Sequence, residues 1–240
     1  MYEQLFVNYE TRVMKRDLLE TEDYLRSLRK VSQFLYGAKI KKDSIYDIDS
    51  LRELDYLYSK LIENSDFMKA NIESGSKYLD AVEVYRTFCK GSLLEKYDID
   101  PSILDCECPI KEESEFSIIP SQVYDKINVN QVLKLAHYKC DIDDEHETPN
   151  YLDTGHASME VHYLIPLNVQ PYVANSLDVY ANILCICPSC HLHLHTGPKI
   201  DVRNMLEKIY IDRANRLKIS GIAKDEETFW NLIEKSGEYF

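Results

Sequence analysis

No proline occurs in this 240-residue chain before Pro101, so nothing of that kind interrupts a helical reading of its first hundred residues. No run approaches the roughly 20 apolar residues that a membrane-spanning helix needs. The first apolar stretch is broken by Glu3, Asn8 and Glu10, unlike a secretory leader, and the expectation is a soluble, cytoplasmic protein without a membrane partner. Net positive charge is missing as well: 28 Lys and Arg stand against 41 Asp and Glu, a formal charge of −13. That balance argues against a simple nucleic-acid coat protein, because binding a polyanion calls for a basic surface. Nor is there an even disulfide set. Of seven cysteines, Cys187 and Cys190 form a CxxC among histidines, which points to metal-binding thiolates in a reducing compartment.

The distribution of charge says more than its sum. From Tyr24 to Lys42 there is no acidic residue, while Arg26, Arg29, Lys30, Lys39, Lys41 and Lys42 are basic. From His195 to Lys224, seven basic residues (Lys199, Arg203, Lys208, Arg213, Arg216, Lys218 and Lys224) face three acidic ones. Each stretch reads either as a phosphate-facing patch or as a solvated helix face with acids nearby in space.

Two domains are expected. Over residues 17 to 92 the apolar positions recur at three- and four-residue spacing, as in Leu25, Leu28, Val31, Phe34 and Leu35, which is the period of an amphipathic helix. A second long helix begins near Ile48 to Leu51 with Asp49 or Ser50 as its N-cap, and a third follows the break at Gly75 and Ser76. Pro101, Pro109, Pro120 and the acidic run Glu112, Glu113 and Glu115 then predict an irregular linker. The expected division is a helical domain over 1–96 that binds DNA or a partner, a linker over 97–130, and a second domain over 131–240. YLRSLRKVSQFLYG and YLDAVEVYRTFC are similar to helical DNA-binding modules placed ahead of nuclease or recombinase domains, and equally to a plain packed or dimerising bundle.

The residues that carry chemistry lie between about 136 and 198: HYKC (137–140), EVHYLIP (160–166) and SLDVYANILCICPSCHLHLH (176–195). Cutting a phosphodiester by in-line attack of water needs a base for the proton and a cation for the charge on the phosphate and leaving oxygen. His191 and His195, four residues apart on the helix expected after Cys190, share one face and can chelate one ion; His162, at the end of the EVH strand, supplies a third donor. His193 should point to the other face.

This order of residues resembles the HNH (ββα-metal, His-Me finger) endonucleases of the restriction and phage-defence type, whose motif reads like EAHHLIP, then Asn, then LCPxCH and a final His. The resemblance covers about a quarter of the chain. It implies an α+β fold with a zinc-stapled ββα-metal domain, DNA as substrate, Mg2+ or another divalent cation for catalysis, and Asn182 in an orienting role. A partner protein in a defence complex and a homodimer are further partners of this kind.

A ββα unit has little core, and a structural zinc commonly holds it. Cys187 and Cys190 need two upstream partners, for which the family usually offers another CxxC. Here Cys140 is followed by no second cysteine, and Cys140 with His146 completes a Cys3His set, Asp143 being the other candidate. Cys185 reads as a buried apolar residue, and Cys89, Cys106 and Cys108 as structural or incidental.

The main departure from the family pattern is Tyr163, which takes the place of its general-base histidine. A free phenol titrates near 10, but a nearby cation favours the phenolate. Three readings stay open: Tyr163 as base, activation of water by another group such as His156 or Glu160, or an inert site in a zinc module that binds nucleic acid or a partner protein.

Overall fold

The computed structural model describes residues 2–41, 44–97, 99–110, 126–152 and 154–239. The chain divides into two compact units: one takes in 1–99 and 111–131, the other 100–110 and 132–240.

In the first unit, α1 (Tyr2–Asn8) runs into a π turn, and Tyr2, Leu5, Phe6 and Tyr9 form its buried face. α2 (Leu18–Gly37) is capped by Asp17, whose carboxylate accepts the Glu20 N–H, and buries Leu25, Leu28, Val31 and Leu35. α3 (Leu51–Glu63) starts from Ser50, one of the two expected caps, through its hydroxyl and the Glu53 N–H. The second long helix does not run on. Asn64 turns extended, and its side-chain oxygen accepts from the Asp66 and Phe67 N–H groups, opening a separate α4 (Ser65–Glu73). Gly75 and Ser76, both left-handed (φ 72° and 68°), separate α4 from α5 (Lys77–Lys90). Tyr85 and Phe88 of α5 pack on Phe6, with centroids 5.3 and 5.5 Å away. Each fully buried side chain of this kind stabilises by about 1.5–3 kcal/mol.

Three residues of the basic stretch of this unit are paired with acids. Arg26 pairs with Asp23, Arg29 with Glu3 at 2.8 Å, and Lys41 with Glu53 at 3.1 Å, the last pair fully buried; Lys42 lies outside the described residues.

In the second unit, β1 (Glu160–Tyr163) pairs antiparallel with β2 (Ile183–Ile186), His162 opposite Leu184 and Tyr163 opposite Ile183. β2 is buried along its length, and Cys187 then caps α7 (Pro188–Thr196), with Pro188 in the first turn. Gly197 ends α7 because no side chain fits there: a Cβ would meet the His193 carbonyl at 2.6 Å and its ring at 2.8 Å. α8 (Lys199–Ile219) and α9 (Glu226–Ser236) complete the unit, which is α+β in composition.

Two of the α8 basic residues turn out to be internal. Arg213 donates to the Tyr180 and Ile183 carbonyls at 3.1 Å each and to Asp141 at 2.8 Å, while Arg216 forks onto Asp105 at 2.6 and 3.0 Å. Arg203 lies over the Trp230 ring.

Parts of the stretch expected as a linker over 97–130 carry ordered structure. Pro101–Leu104 is a 3-10 turn with Leu104 buried, and the Cys108 carbonyl accepts the Ser176 N–H at 2.7 Å, so 100–110 packs with the C-terminal unit. Helix α6 (Ile127–Leu135) begins within the expected linker, its Ile127 N–H bonded to the Asp49 carbonyl and Gln131 to the Phe88 carbonyl. Pro120, Glu112, Glu113 and Glu115 lie outside the described residues. No helix among the described residues is long and apolar enough to cross a membrane.

Candidate metal centres

The turn from β2 into α7 serves two groups of donors. On one side, Cys187 and Cys190 come together with Cys140 and His146, and one donor atom from each of the four lies within 4.8 Å of all the others. His146 Nδ1 is 3.6 Å from the Cys187 sulfur and 3.3 Å from that of Cys190. Cys140 is carried to this place by the following residue: the Asp141 N–H donates to the Cys185 carbonyl and the Asp141 carboxylate accepts the Cys185 N–H, both at 2.7 Å.

Asp143 is not one of the four. Its carboxylate stands 3.7 Å from His146 Nε2, on the far side of the ring, where it orients the imidazole. Burial raises the Cys190 thiol, and the neighbouring Cys187 and Cys140 sulfurs raise it further. Cys140 goes the other way: burial opposes ionisation, but backbone N–H groups of Cys187, Asp143 and Ile142 and the His146 ring outweigh it. Three cysteine sulfurs gathered beside one imidazole are a donor set of the kind zinc takes, and this Cys3His group is compatible with holding it. Cys185 is buried, outside the group, and its thiol is raised by burial. Cys89 is fully buried as well; Cys106 and Cys108 lie 3.7 Å apart, sulfur to sulfur, and neither belongs to either group.

On the other side, His162 from β1 meets His191 and His195 from α7, again with one ring nitrogen of each within 4.8 Å of the others. His191 Nε2 and His195 Nε2 are 3.1 Å apart, close to the spacing of about 3.4 Å that two nitrogens would take on one tetrahedral ion. His191 Nδ1 is bonded at 2.5 Å to Glu160, which projects from β1 on the same side as His162, two residues along. That bond fixes the proton on Nδ1 and leaves Nε2 as the donor nitrogen. His162 is buried, and burial, followed by the His191 and His195 rings, pushes its imidazole down to about 3, so it is neutral at any ordinary pH. Three imidazoles converging on one point suit a divalent cation. His193 is excluded from this group; its ring folds over Gly197.

Asn182 is fully buried at the base of β2. Its amide donates to the Ile165 and Leu177 carbonyls (2.8 and 2.9 Å) and accepts the Ile165 N–H (2.8 Å), so it pins both ends of the loop that joins the strands. Tyr163 follows His162 directly and ends β1. Its hydroxyl donates to Asp178 at 2.6 Å, a partner that sequence reasoning did not single out. His156 is stacked flat on Tyr138, with centroids 3.9 Å apart.

The chain is similar to the type IV methyl-directed restriction enzyme EcoKMcrA of Escherichia coli (strain K12), with 33% identity over 70 residues. The matched stretch is 29% of this chain and 22% of that enzyme. The chain therefore spans about a fifth of the length of the relative it matches, and the likeness is that of a partial homologue. No family model matches.

Proposed function

We propose that the C-terminal unit is a metal-dependent endonuclease of the ββα-metal (HNH) kind that hydrolyses phosphodiester bonds in DNA, in restriction or phage defence. The observation that carries this reading is the convergence of His162, His191 and His195 beside a separate Cys3His group at one strand-to-helix turn. The partial likeness to a restriction enzyme supports it. In this reading Cys140, His146, Cys187 and Cys190 hold a structural Zn2+, and the three imidazoles hold Mg2+ or another divalent cation. The latter, when bound, neutralises charge on the scissile phosphate and the leaving oxygen.

The chain's own groups supply the rest. Glu160 holds the His191 ring in its donor tautomer, and Asn182 keeps the inter-strand loop rigid behind the site. Tyr163 acts as general base with Asp178: the carboxylate takes the phenol proton along the 2.6 Å bond, and the phenolate oxygen draws a proton from the attacking water. The other two groups weighed for that task are otherwise engaged, Glu160 with His191 and His156 with Tyr138. The helical N-terminal unit serves recognition, of DNA or of a partner protein, rather than cutting.

Nicking of supercoiled plasmid, methylated and unmethylated, with Mg2+, Mn2+, Ni2+ or Zn2+ tests the proposal; the methylated arm is included because the relative is methyl-directed. His191→Ala should lower the rate at least about 100-fold, more than loss of an outer-shell partner would. Tyr163→Phe and Asp178→Asn should each cost about 10²–10⁴-fold. A wild-type protein as silent as His191→Ala with every cation overturns the nuclease reading; full activity in Tyr163→Phe overturns only the assignment of the base.

A further inference from the structure

The third imidazole has a partner from the far end of the chain. After α9 ends at Ser236, Gly237 adopts φ 64°, the left-handed conformation that a side chain resists, and the backbone turns back. Asn168 holds this turn through the Ser236 carbonyl at 3.0 Å. Tyr239 is thereby buried against β1, with its hydroxyl oxygen 2.6 Å from His162 Nε2, 3.0 Å from the Leu164 carbonyl and 3.2 Å from the Tyr163 carbonyl.

A protonated phenol has one hydrogen to give. The two carbonyl oxygens can only accept, so if that hydrogen went to the imidazole, two buried oxygens would face the phenol oxygen with no proton between them. The hydrogen therefore goes to the carbonyl side, and the remaining contact is made by His162 Nε2–H donating to the phenol oxygen. With Nε2 carrying the proton, Nδ1 is the nitrogen with a free lone pair. From these contacts we infer that Tyr239 is a positioning residue for the cation cradle: it fixes the tautomer and orientation of His162 so that Nδ1 is presented alongside the Nε2 atoms of His191 and His195. Glu160 does for His191 from within the strand what Tyr239 does for His162 from the C-terminal tail. This inference rests on the reading of the three-imidazole cluster as a cation site.

Two measurements on the full chain, loaded with zinc at the Cys3His group, test it. Long-range proton–nitrogen correlation spectra without added cation report the tautomer of each imidazole; His162 should be protonated on Nε2 in the wild type and lose that preference in Tyr239→Phe. Calorimetric titration with Mn2+ alone should show about 10–100-fold weaker binding in Tyr239→Phe, with the zinc content unchanged. A wild-type His162 protonated on Nδ1, or equal Mn2+ affinity in Tyr239→Phe, overturns the inference. If instead the wild type binds Mn2+ no better than His162→Ala, the cation-site reading itself falls, and the spectrum of the wild type still decides the Tyr239 contact.

Discussion

The two units of this protein are held by different forces. In the N-terminal unit the interior is rings and aliphatic chains, Phe6, Tyr9, Tyr85 and Phe88 around Leu28 and Leu35. Some of its buried polar groups serve helix ends, as Ser50 and Asn71 do by accepting backbone N–H groups. The C-terminal unit has a sheet of only two four-residue strands, and a lone two-stranded ribbon is marginal in water. Polar side chains, most of them buried, tie that sheet to what surrounds it: Arg213, Asn182, Asp141 and His162 each bond across large sequence distances. The unit with both donor groups is thus the one whose sheet is tied by polar cross-links, and by metal if those groups are filled.

Removing zinc should expose this difference most sharply. Structural zinc in small sites contributes about 10–16 kcal/mol of binding free energy that is also folding free energy. Cys187→Ser, or a strong chelator, should release one zinc per chain and abolish amide-exchange protection over 160–219, while 18–90 stays protected. Persisting protection over 160–219 without zinc would break the comparison, as would simultaneous loss in both units.

The next effects belong to the N-terminal unit. Phe88→Ala should cost about 3–5 kcal/mol by leaving a cavity among three other rings. Lys41→Met should cost a similar amount, about 3–5 kcal/mol, because it strands the Glu53 carboxylate in the core, and adding Glu53→Leu should restore most of it. Urea unfolding followed by far-ultraviolet circular dichroism measures all three. If the double variant stays as weak as Lys41→Met, charge stranding is not the cause. In the C-terminal unit Asn182→Ala should cost at least about 2 kcal/mol, since it leaves one buried N–H and two carbonyls without their partner.

What could be read from the sequence was local, and what could not was long-range. The period of α2, the Ser50 cap and the break at Gly75 and Ser76 all act within a few residues and were visible. So was the spacing of Cys187, Cys190, His191 and His195, because one helix start dictates it. Helix α1 went unread although Tyr2, Leu5, Phe6 and Tyr9 carry a helical period, since Glu3, Asn8 and Glu10 interrupt it as a run. Asn64 broke the second helix with neither Gly nor Pro to signal it; its side chain acts as a cap in one direction only. In the second basic stretch the choice between a phosphate-facing patch and a face with acids nearby was not legible because the acids are distant in sequence: Asp105 lies 111 residues from Arg216, and Asp141 lies 72 from Arg213. For the same reason Asp178 and Tyr239 could not be matched with Tyr163 and His162 by spacing.

The smallest predicted effect concerns acid. Folding holds the His162 imidazole down at about 3, against 6.5 when exposed, with burial the main cause. Between these values the unfolded chain binds a proton that the folded chain does not, so stability rises with pH through this window and falls as pH drops below 6.5. Each pH unit is worth about 1.4 kcal/mol, or about 2 kcal/mol from pH 6.5 to 5. Nothing in the N-terminal core carries a comparable buried imidazole, so the loss should appear in the C-terminal unit alone. Urea unfolding at pH 6.5 and 5, with zinc content checked at both, should show that slope in the wild type and a flatter one in His162→Gln, whose side chain does not titrate. Equal slopes in the two proteins would mean that acid acts elsewhere, with release of the Cys3His zinc as the first place to look.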